Sequence, residues 1–362
     1  MEASLPPTQV FAAEPGADPV GALASARRPV ILAGIAALRL GGGPAISNLA
    51  ERAGIPVVVS PMAKGVVPED HPWFAGIVDM ACNQVVGELL SEADLVLAVG
   101  FDAVELIKPW KVRARVVHID AVPNTDQIYQ AEIEIVGAIG PVVEWLTEQH
   151  RSEQRWTLAE VQAHRKRLRE AYYQGRVAGR LNPTDVVDVV RAYAPRDAIV
   201  TTDVGSHKLL VGQGWTTYEP RTSLMSNGLS SMGFSLPAAI GAKLARPDRP
   251  VVCTTGDGGF AMVQGELRLA SSLGLGMIVV VFCDGSLNRI ELKQMRLGYP
   301  STATRIEGSD IVRLAESMDC YGARVQSTAE LEKVLAEADF RRLDRPLVIE
   351  ATVDPAQYES QY

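Results

Sequence analysis

Apolar residues in this chain fall into short continuous runs, separated by segments with a helical period. Arg28 to Gly34 reads as a strand running into a glycine turn. Between Pro44 and Ala53 the apolar positions are Ile46, Leu49, Ala50 and Ala53, the i, i+3, i+4, i+7 spacing of a helix with one buried face. Ile55 to Ser60 is the next strand, Asn83 to Ser91 a helix, Asp94 to Gly100 a strand, and Val116–Asp120 and Ile133–Val136 follow as strands. Further on, Pro183 opens a helix, and Ala198–Thr202, Val251–Thr255, Met277–Cys283 and Leu347–Ala351 are near-continuous apolar runs, as central parallel strands are. Strands alternating with helices predict an α/β fold of two domains, each a parallel sheet covered by helices on both faces. His150 to Gly175 is rich in Arg, Glu and Gln, has helical spacing and holds no strand, which reads as a solvated helical linker. The predicted division is a leading linker over residues 1–20, a first domain over 21–150, the helical linker over 151–180, a second domain over 181–353 and a tail over 354–362. There is no short-period repeat and no low-complexity tract.

Composition narrows the function classes. The length of 362 residues suits two domains, and 47% apolar content is enough for sizeable cores. A net charge of −8 without a basic block argues against a nucleic-acid or anionic-membrane surface. No apolar run is long enough to cross a bilayer. Met1 to Pro19 has neither a cationic start nor an apolar core, so it does not read as a secretory signal. Cys82, Cys253, Cys283 and Cys320 are scattered, two of them in apolar strands, which reads as buried thiols in a reducing cytoplasm. Gly41-Gly42-Gly43 with Gly34 upstream does not match the spacing of a dinucleotide fingerprint, and a plain loop is the better reading.

The richest chemistry lies in Gly256-Asp257-Gly258-Gly259-Phe260, the strand Met277–Cys283, and Asp284-Gly285-Ser286. Two carboxylates stand 27 positions apart, each at the end of an apolar strand, with glycines beside the first. Mg²⁺ commonly takes one or two protein carboxylates and leaves its other positions to phosphate oxygens and water. Glycines let backbone N–H groups approach phosphates closely. The bland alternative is two strand-to-turn aspartates, since Asp-Gly is a common turn pair.

This segment resembles the diphosphate-binding motif of thiamin-diphosphate (ThDP) enzymes, which opens with Gly-Asp-Gly and closes on Asn or Asp past the next strand. By that resemblance Asp257 and Asp284 bind Mg²⁺ through their side chains and Ser286 through its backbone carbonyl. Ile199 to Gly205 and Ser226 to Ala242 resemble the cofactor domain of acetolactate synthases. Gly54–Val58, Glu69–Pro72 and Glu92–Gly100 resemble their middle domain, and Gly100–Glu105 is closer to the FAD-free, catabolic type, so FAD is not expected. Gly205 and His207 follow a strand, at the carboxyl end of the sheet where ligands of open α/β sheets bind. The resemblance implies that His207 contacts the diphosphate, that Gly205, Gly228, Gly256, Gly258 and Gly259 line the cofactor, and that Met232 props it into a bent conformation.

Complete enzymes of this family also have a first, pyrimidine-binding domain that carries an activating glutamate, whereas this sequence opens at the linker into the second. The expectation is therefore the large subunit of a split, cytoplasmic enzyme, active with a small subunit that supplies that domain, in a heterotetramer. The implied reaction is decarboxylation of a 2-oxo acid, pyruvate by default, and transfer of the resulting acyl carbanion to an acceptor carbonyl. Plain decarboxylation and a catalytically silent ThDP-binding chain are the alternatives. Ile290 and Lys293, three apart on the helix Leu287–Leu297, face the reacting carbon by resemblance. Lys293 stands where relatives carry tryptophan or glutamine, and a cation there would suit an anionic group; the alternative is a solvated surface lysine. Arg289 and Arg296 are expected to face solvent.

Overall fold

The computed structural model describes residues 11–13, 17–125, 128–150 and 155–361. They form two compact units, each an α/β layer fold.

The first unit takes the described residues up to Asp79, then 83–169 and 218–220. Its strands are β1 (Phe11–Ala13), β2 (Pro29–Ala33), β3 (Val57–Val59), β4 (Phe74–Ile77), β5 (Leu95–Val99), β6 (Arg115–Asp120) and β7 (Ile133–Gly137), in the order β1-β7-β6-β5-β2-β3-β4. Six strands run parallel, and β1 joins the edge antiparallel to β7. β2, β3 and β5 are buried along their whole length, which explains their unbroken apolar runs. The helix Gly43–Ala53 buries Ile46, Leu49, Ala50 and Ala53, the face its spacing predicts, and stops at Gly54 in the left-handed conformation (φ 64°).

The second unit takes residues 80–82, 170–217 and 221–361. Its sheet is all parallel: β8 (Ile199–Thr202), β9 (Ser223–Met225), β10 (Val251–Gly256), β11 (Ile278–Cys283), β12 (Tyr321–Val325) and β13 (Leu347–Thr352), in the order β12-β13-β11-β10-β8-β9. Cys253 sits at the centre, in register with Thr201 and Val279. Leu236, Phe260, Leu267 and Val348 pack into the same core. All four cysteines are free thiols.

Four readings need correction. The leading stretch is not simply linker: it holds strand β1 and the helix Pro19–Ser25, capped by Asp18, while residues 1–10 lie outside the described residues. The polar stretch after His150 holds the helix Leu158–Tyr172, largely exposed as its composition suggests but with one buried stripe. Val161, His164 and Tyr172 are buried on it, and His164 Nε2 lies 2.8 Å from the Ala75 carbonyl. The tail is structured too. Gln357 is fully buried on the helix Ala356–Glu359, and its Oε1 accepts from the Thr184 N–H and hydroxyl, while Tyr362 lies outside the described residues. The strands β4, β9 and β12 went unread. β9 has three residues, β4 contains Gly76 at φ 122°, and β12 is a half-exposed edge strand without an apolar run. Among the described residues no helix is long and apolar enough to cross a membrane.

Candidate functional site

In the second unit the chain leaves β8 toward β9 on one side and returns to β10 on the other. The crevice at the carboxyl ends of β8 and β10 is thus a topological switch point, where open α/β sheets bind ligands. It holds a cavity of about 500 Å³. Three strand ends feed it: Gly205 and His207 after β8, Asp257 at the foot of β10, and Asp284 and Ser286 after β11.

Each residue is held by local chemistry. Asp257 opens the helix Asp257–Val263. One of its carboxylate oxygens accepts from the Gly258 N–H at 2.8 Å, and the other accepts from the Gly285 N–H at 2.8 Å, tying the β10 and β11 loops together. Asp284 accepts from the Ser286 N–H and hydroxyl, at 2.9 and 3.1 Å, both on one oxygen. Burial, and then the charge of Asp257, push the Asp284 carboxyl up to about 7. Burial also raises Asp257, against the N–H groups that favour its charged form. Two carboxylates that disfavour each other's charge are a pair whose repulsion a divalent cation would relieve. Among the described residues no three histidine, cysteine or acidic side chains converge. This donor set fits Mg²⁺ completed by phosphate and water better than an all-protein metal cage.

His207 is 3% exposed and stacks on Phe282 with ring centroids 5.4 Å apart. Burial and the neighbouring Lys208 drive it down to about 3, so the ring is neutral at ordinary pH. Its Nε2 is buried without a hydrogen-bond partner, on a ring that lines the cavity. A buried unpaired ring nitrogen costs stability unless a ligand meets it, and a phosphate oxygen would do so. The backbone is tight here. A Cβ on Gly205 would lie 2.8 Å from the His207 ring, and one on Gly258 would lie 2.9 Å from both Ile306 and Leu287. Gly256 and Gly259 also line the cavity, while Gly228 is an exposed left-handed residue (φ 73°) on the adjoining loop. Paired carboxylates, an unpaired ring nitrogen and close backbone are features that a diphosphate and its metal would fit.

Met232 is half-buried and lines the same cavity. Its loop is held by Asp203, which the sequence reading had passed over. Asp203 is fully buried, and both its oxygens accept from the Gly233 N–H at 3.0 Å. Lys208 was also missed. It is 2% exposed and donates to the Ser226 carbonyl and, at 2.8 Å, to Asn227 Oδ1, anchoring the start of the same loop. Burial and the charge of Arg289 lower it to about 8.

The helix Asn288–Arg296 brings Ile290 and Lys293 to the cavity, with Ile290 48% exposed. Arg289 does not simply face solvent: it is half-buried and lines the cavity, whereas Arg296 is exposed. Tyr358, from the segment read as a tail, also lines it.

The first unit has its own switch point, between β2 and β5. There the Glu105 carboxylate accepts from the Ile35 N–H at 3.0 and 3.1 Å, from the Asp102 N–H at 3.2 Å, and from the Ser60 hydroxyl. It thus occupies the helix N-terminus that a dinucleotide phosphate would need.

Two models of the thiamine pyrophosphate enzyme family match the chain. The profile of the thiamine pyrophosphate enzyme central domain matches residues 18–146. That of the thiamine pyrophosphate enzyme C-terminal TPP-binding domain matches residues 203–351. The chain is 28% identical to the probable acetolactate synthase large subunit of Methanococcus aeolicus over 92% of its own length and 59% of that protein's. It is 28% identical to the acetolactate synthase of Bacillus subtilis (92% and 60%) and 31% identical to the acetolactate synthase isozyme 3 large subunit of Escherichia coli (93% and 61%). The chain therefore spans about three-fifths of the length of these relatives.

Proposed function

We propose that this chain, which belongs to the thiamine pyrophosphate enzyme family, supplies the diphosphate-binding half of an acetolactate synthase-like active site. When bound, ThDP supplies the electron sink for decarboxylating a 2-oxo acid. Asp257, Asp284 and the Ser286 carbonyl hold Mg²⁺. His207 Nε2 meets a diphosphate oxygen, the backbone at Gly205, Gly228, Gly256, Gly258 and Gly259 lets the cofactor approach, and Met232 supports its bend. Ile290 and Lys293 face the reacting end. The reaction is decarboxylation of a 2-oxo acid, pyruvate by default, with transfer of the acyl unit to an acceptor carbonyl. The observation that carries this reading is the pair of buried carboxylates at the ends of β10 and β11, sharing a cavity with the unpaired His207 nitrogen.

The pyrimidine-binding half comes from a second chain, a small subunit, in a heterotetramer of two large and two small subunits. Two of the relatives above are named large subunits. Leu229 is 96% exposed on the cofactor loop, and Ile290, Met295 and Leu297 are exposed on and just beyond the substrate helix. Apolar surface of this kind marks interfaces in folded proteins. FAD has no part in this reading, because Glu105 fills the crevice a dinucleotide would use in the first unit.

Calorimetric titration of ThDP with Mg²⁺ tests the cofactor claim. Binding that needs Mg²⁺ and is lost in Asp284→Ala is expected, and unchanged affinity in the variant would remove it. Turnover by the purified chain, alone and with its candidate partner, tests the division of labour. Full activity from this chain alone would end the two-chain reading, and product analysis separates acyl transfer from plain decarboxylation.

A further inference from the structure

The cavity is not electrically uniform. Asp257 and Asp284 line it, two acids whose charge a divalent cation would offset. The helix Asn288–Arg296 brings two cations to it, Arg289 and Lys293. They are four positions apart, on one helix face and about 6 Å apart along its axis, with Ile290 between them as an apolar contact. Lys208 adds a third positive charge close enough for Arg289 to act on it, balanced in part by the buried Asp203. The acid on this helix is turned elsewhere: Glu291 is 6% exposed and accepts from Arg305 at 2.8 Å and from the Ser301 hydroxyl at 2.9 Å. Lys293 makes no ion pair among the described residues. A site for pyruvate and a neutral acceptor needs no such pair, since one carboxylate is the only charge to be met.

We infer that the site takes a 2-oxo acid bearing a second anionic group at its far end, a carboxylate, sulfonate or phosphonate, held by Arg289 and Lys293. The apolar Ile290 then lies along the carbon chain between the two charged ends. The inference rests on the cofactor reading above, in which the metal sits against Asp257 and Asp284 while Ile290 and Lys293 face the reacting end. Arg289 is half-buried and Lys293 exposed, and together they favour the dianion by about tenfold over a neutral-ended analogue, the size of one charge-assisted hydrogen bond.

The test compares 2-oxoglutarate with 2-oxopentanoate, which has the same number of carbons and no second charge. Activity of the assembled enzyme is one readout. Calorimetry of glutarate against pentanoate, with and without ThDP–Mg²⁺, is a second that needs no turnover. ThDP affinity is measured in Arg289→Gln and Lys293→Gln. The expected result is a preference of about tenfold or more for the dianion, lost in both variants, kept in Arg289→Lys and Lys293→Arg, and weakened by salt, with ThDP affinity unchanged. Equal use of the two acids by the parent overturns the inference. So does an Arg289→Gln variant that loses ThDP affinity and keeps the substrate preference, because the cations would then serve the diphosphate. If ThDP does not bind at all, the cofactor reading fails, and the glutarate titration still decides whether the cation pair binds a second anion.

Discussion

The two units solve one topological problem in opposite ways. Each is a mostly parallel sheet whose strand order reverses, and in each the reversal leaves a crevice at the carboxyl ends of the strands. In the first unit the crevice is filled from within: the Glu105 carboxylate caps the helix Ile35–Arg39, takes the Asp102 N–H and accepts from Ser60. In the second the acids are left at the mouth of a cavity of about 500 Å³, and a histidine nitrogen stays unpaired beside them. Burial raises both Glu105 and Asp284. Their hydrogen bonds separate them. Glu105 receives donors from three segments of its own unit, whereas Asp284 receives only Ser286 and has Asp257 pushing against it. A buried carboxylate surrounded by donors is a structural plug. One set against a second carboxylate is suited to holding a cation.

Removing each acid should therefore do different things, and the largest difference is in ligand binding. Asp284→Ala is expected to lower Mg²⁺-dependent ThDP affinity by more than about 100-fold while the unfolding midpoint holds or rises, since residues merely behind metal ligands already cost that much. Glu105→Ala should do the reverse. It orphans two N–H groups and a hydroxyl and should destabilise the first unit by about 3 kcal/mol, with ThDP affinity unmoved. Denaturant unfolding alongside calorimetry reads both. If Glu105→Ala weakens ThDP binding and leaves stability alone, the contrast between the two acids collapses. FAD titrated into the parent should not bind, and a stoichiometric FAD signal would break the comparison from the other side.

The sequence made one side of this contrast far more legible than the other. β8, β10, β11 and β13 are buried runs of β-branched and apolar residues, and Asp257 and Asp284 follow two of them directly, so position alone marked them. The helix Gly43–Ala53 also announced its buried face by spacing. Glu105 carries no such mark, because its role depends on Ile35 and Ser60, which are 70 and 45 residues away. Asp203 was hidden in the same way, since its partner Gly233 lies 30 positions on. Arg289 read as an ordinary surface cation, and Lys208 carried no mark, until the fold closed around them. Tyr358 and Gln357 sat in what looked like a tail, for nothing in a four-residue helix signals that it fills the floor of a core.

Asp203 allows a sharper, smaller cut. Its carboxylate is a plug like Glu105, but it lies in the open unit, where it holds the Met232 loop through the Gly233 and Val204 N–H groups. Asp203→Asn keeps the size and exchanges one acceptor for a donor facing those N–H groups. The expected loss is about 2 kcal/mol of stability, with a rise in loop hydrogen exchange over residues 226–234 and a weaker ThDP complex. If exchange in that loop does not change, Asp203 serves the core and not the site.

The smallest expected effect is a pH dependence that only the open crevice should show. The Asp284 carboxyl sits at about 7 in the folded chain, against an ordinary value of 3.8. Between those values the folded state holds a proton that the unfolded state has released. Without metal, Asp284 therefore makes the chain less stable as pH rises from about 4 to about 7, and the loss levels off above that. Metal binding requires the carboxylate, so the same proton must leave when Mg²⁺ enters. Apparent Mg²⁺–ThDP affinity should then fall by up to about tenfold per pH unit on acidification below about 7, and flatten above it. Mg²⁺–ThDP should also remove the stability loss near neutral pH. Asp284→Asn should flatten the stability profile, because the amide neither titrates nor repels Asp257. A pH-independent affinity in the parent between about pH 5.5 and 7.5 would mean that Asp284 is already ionised there, and that the two carboxylates are not held in tension by the fold.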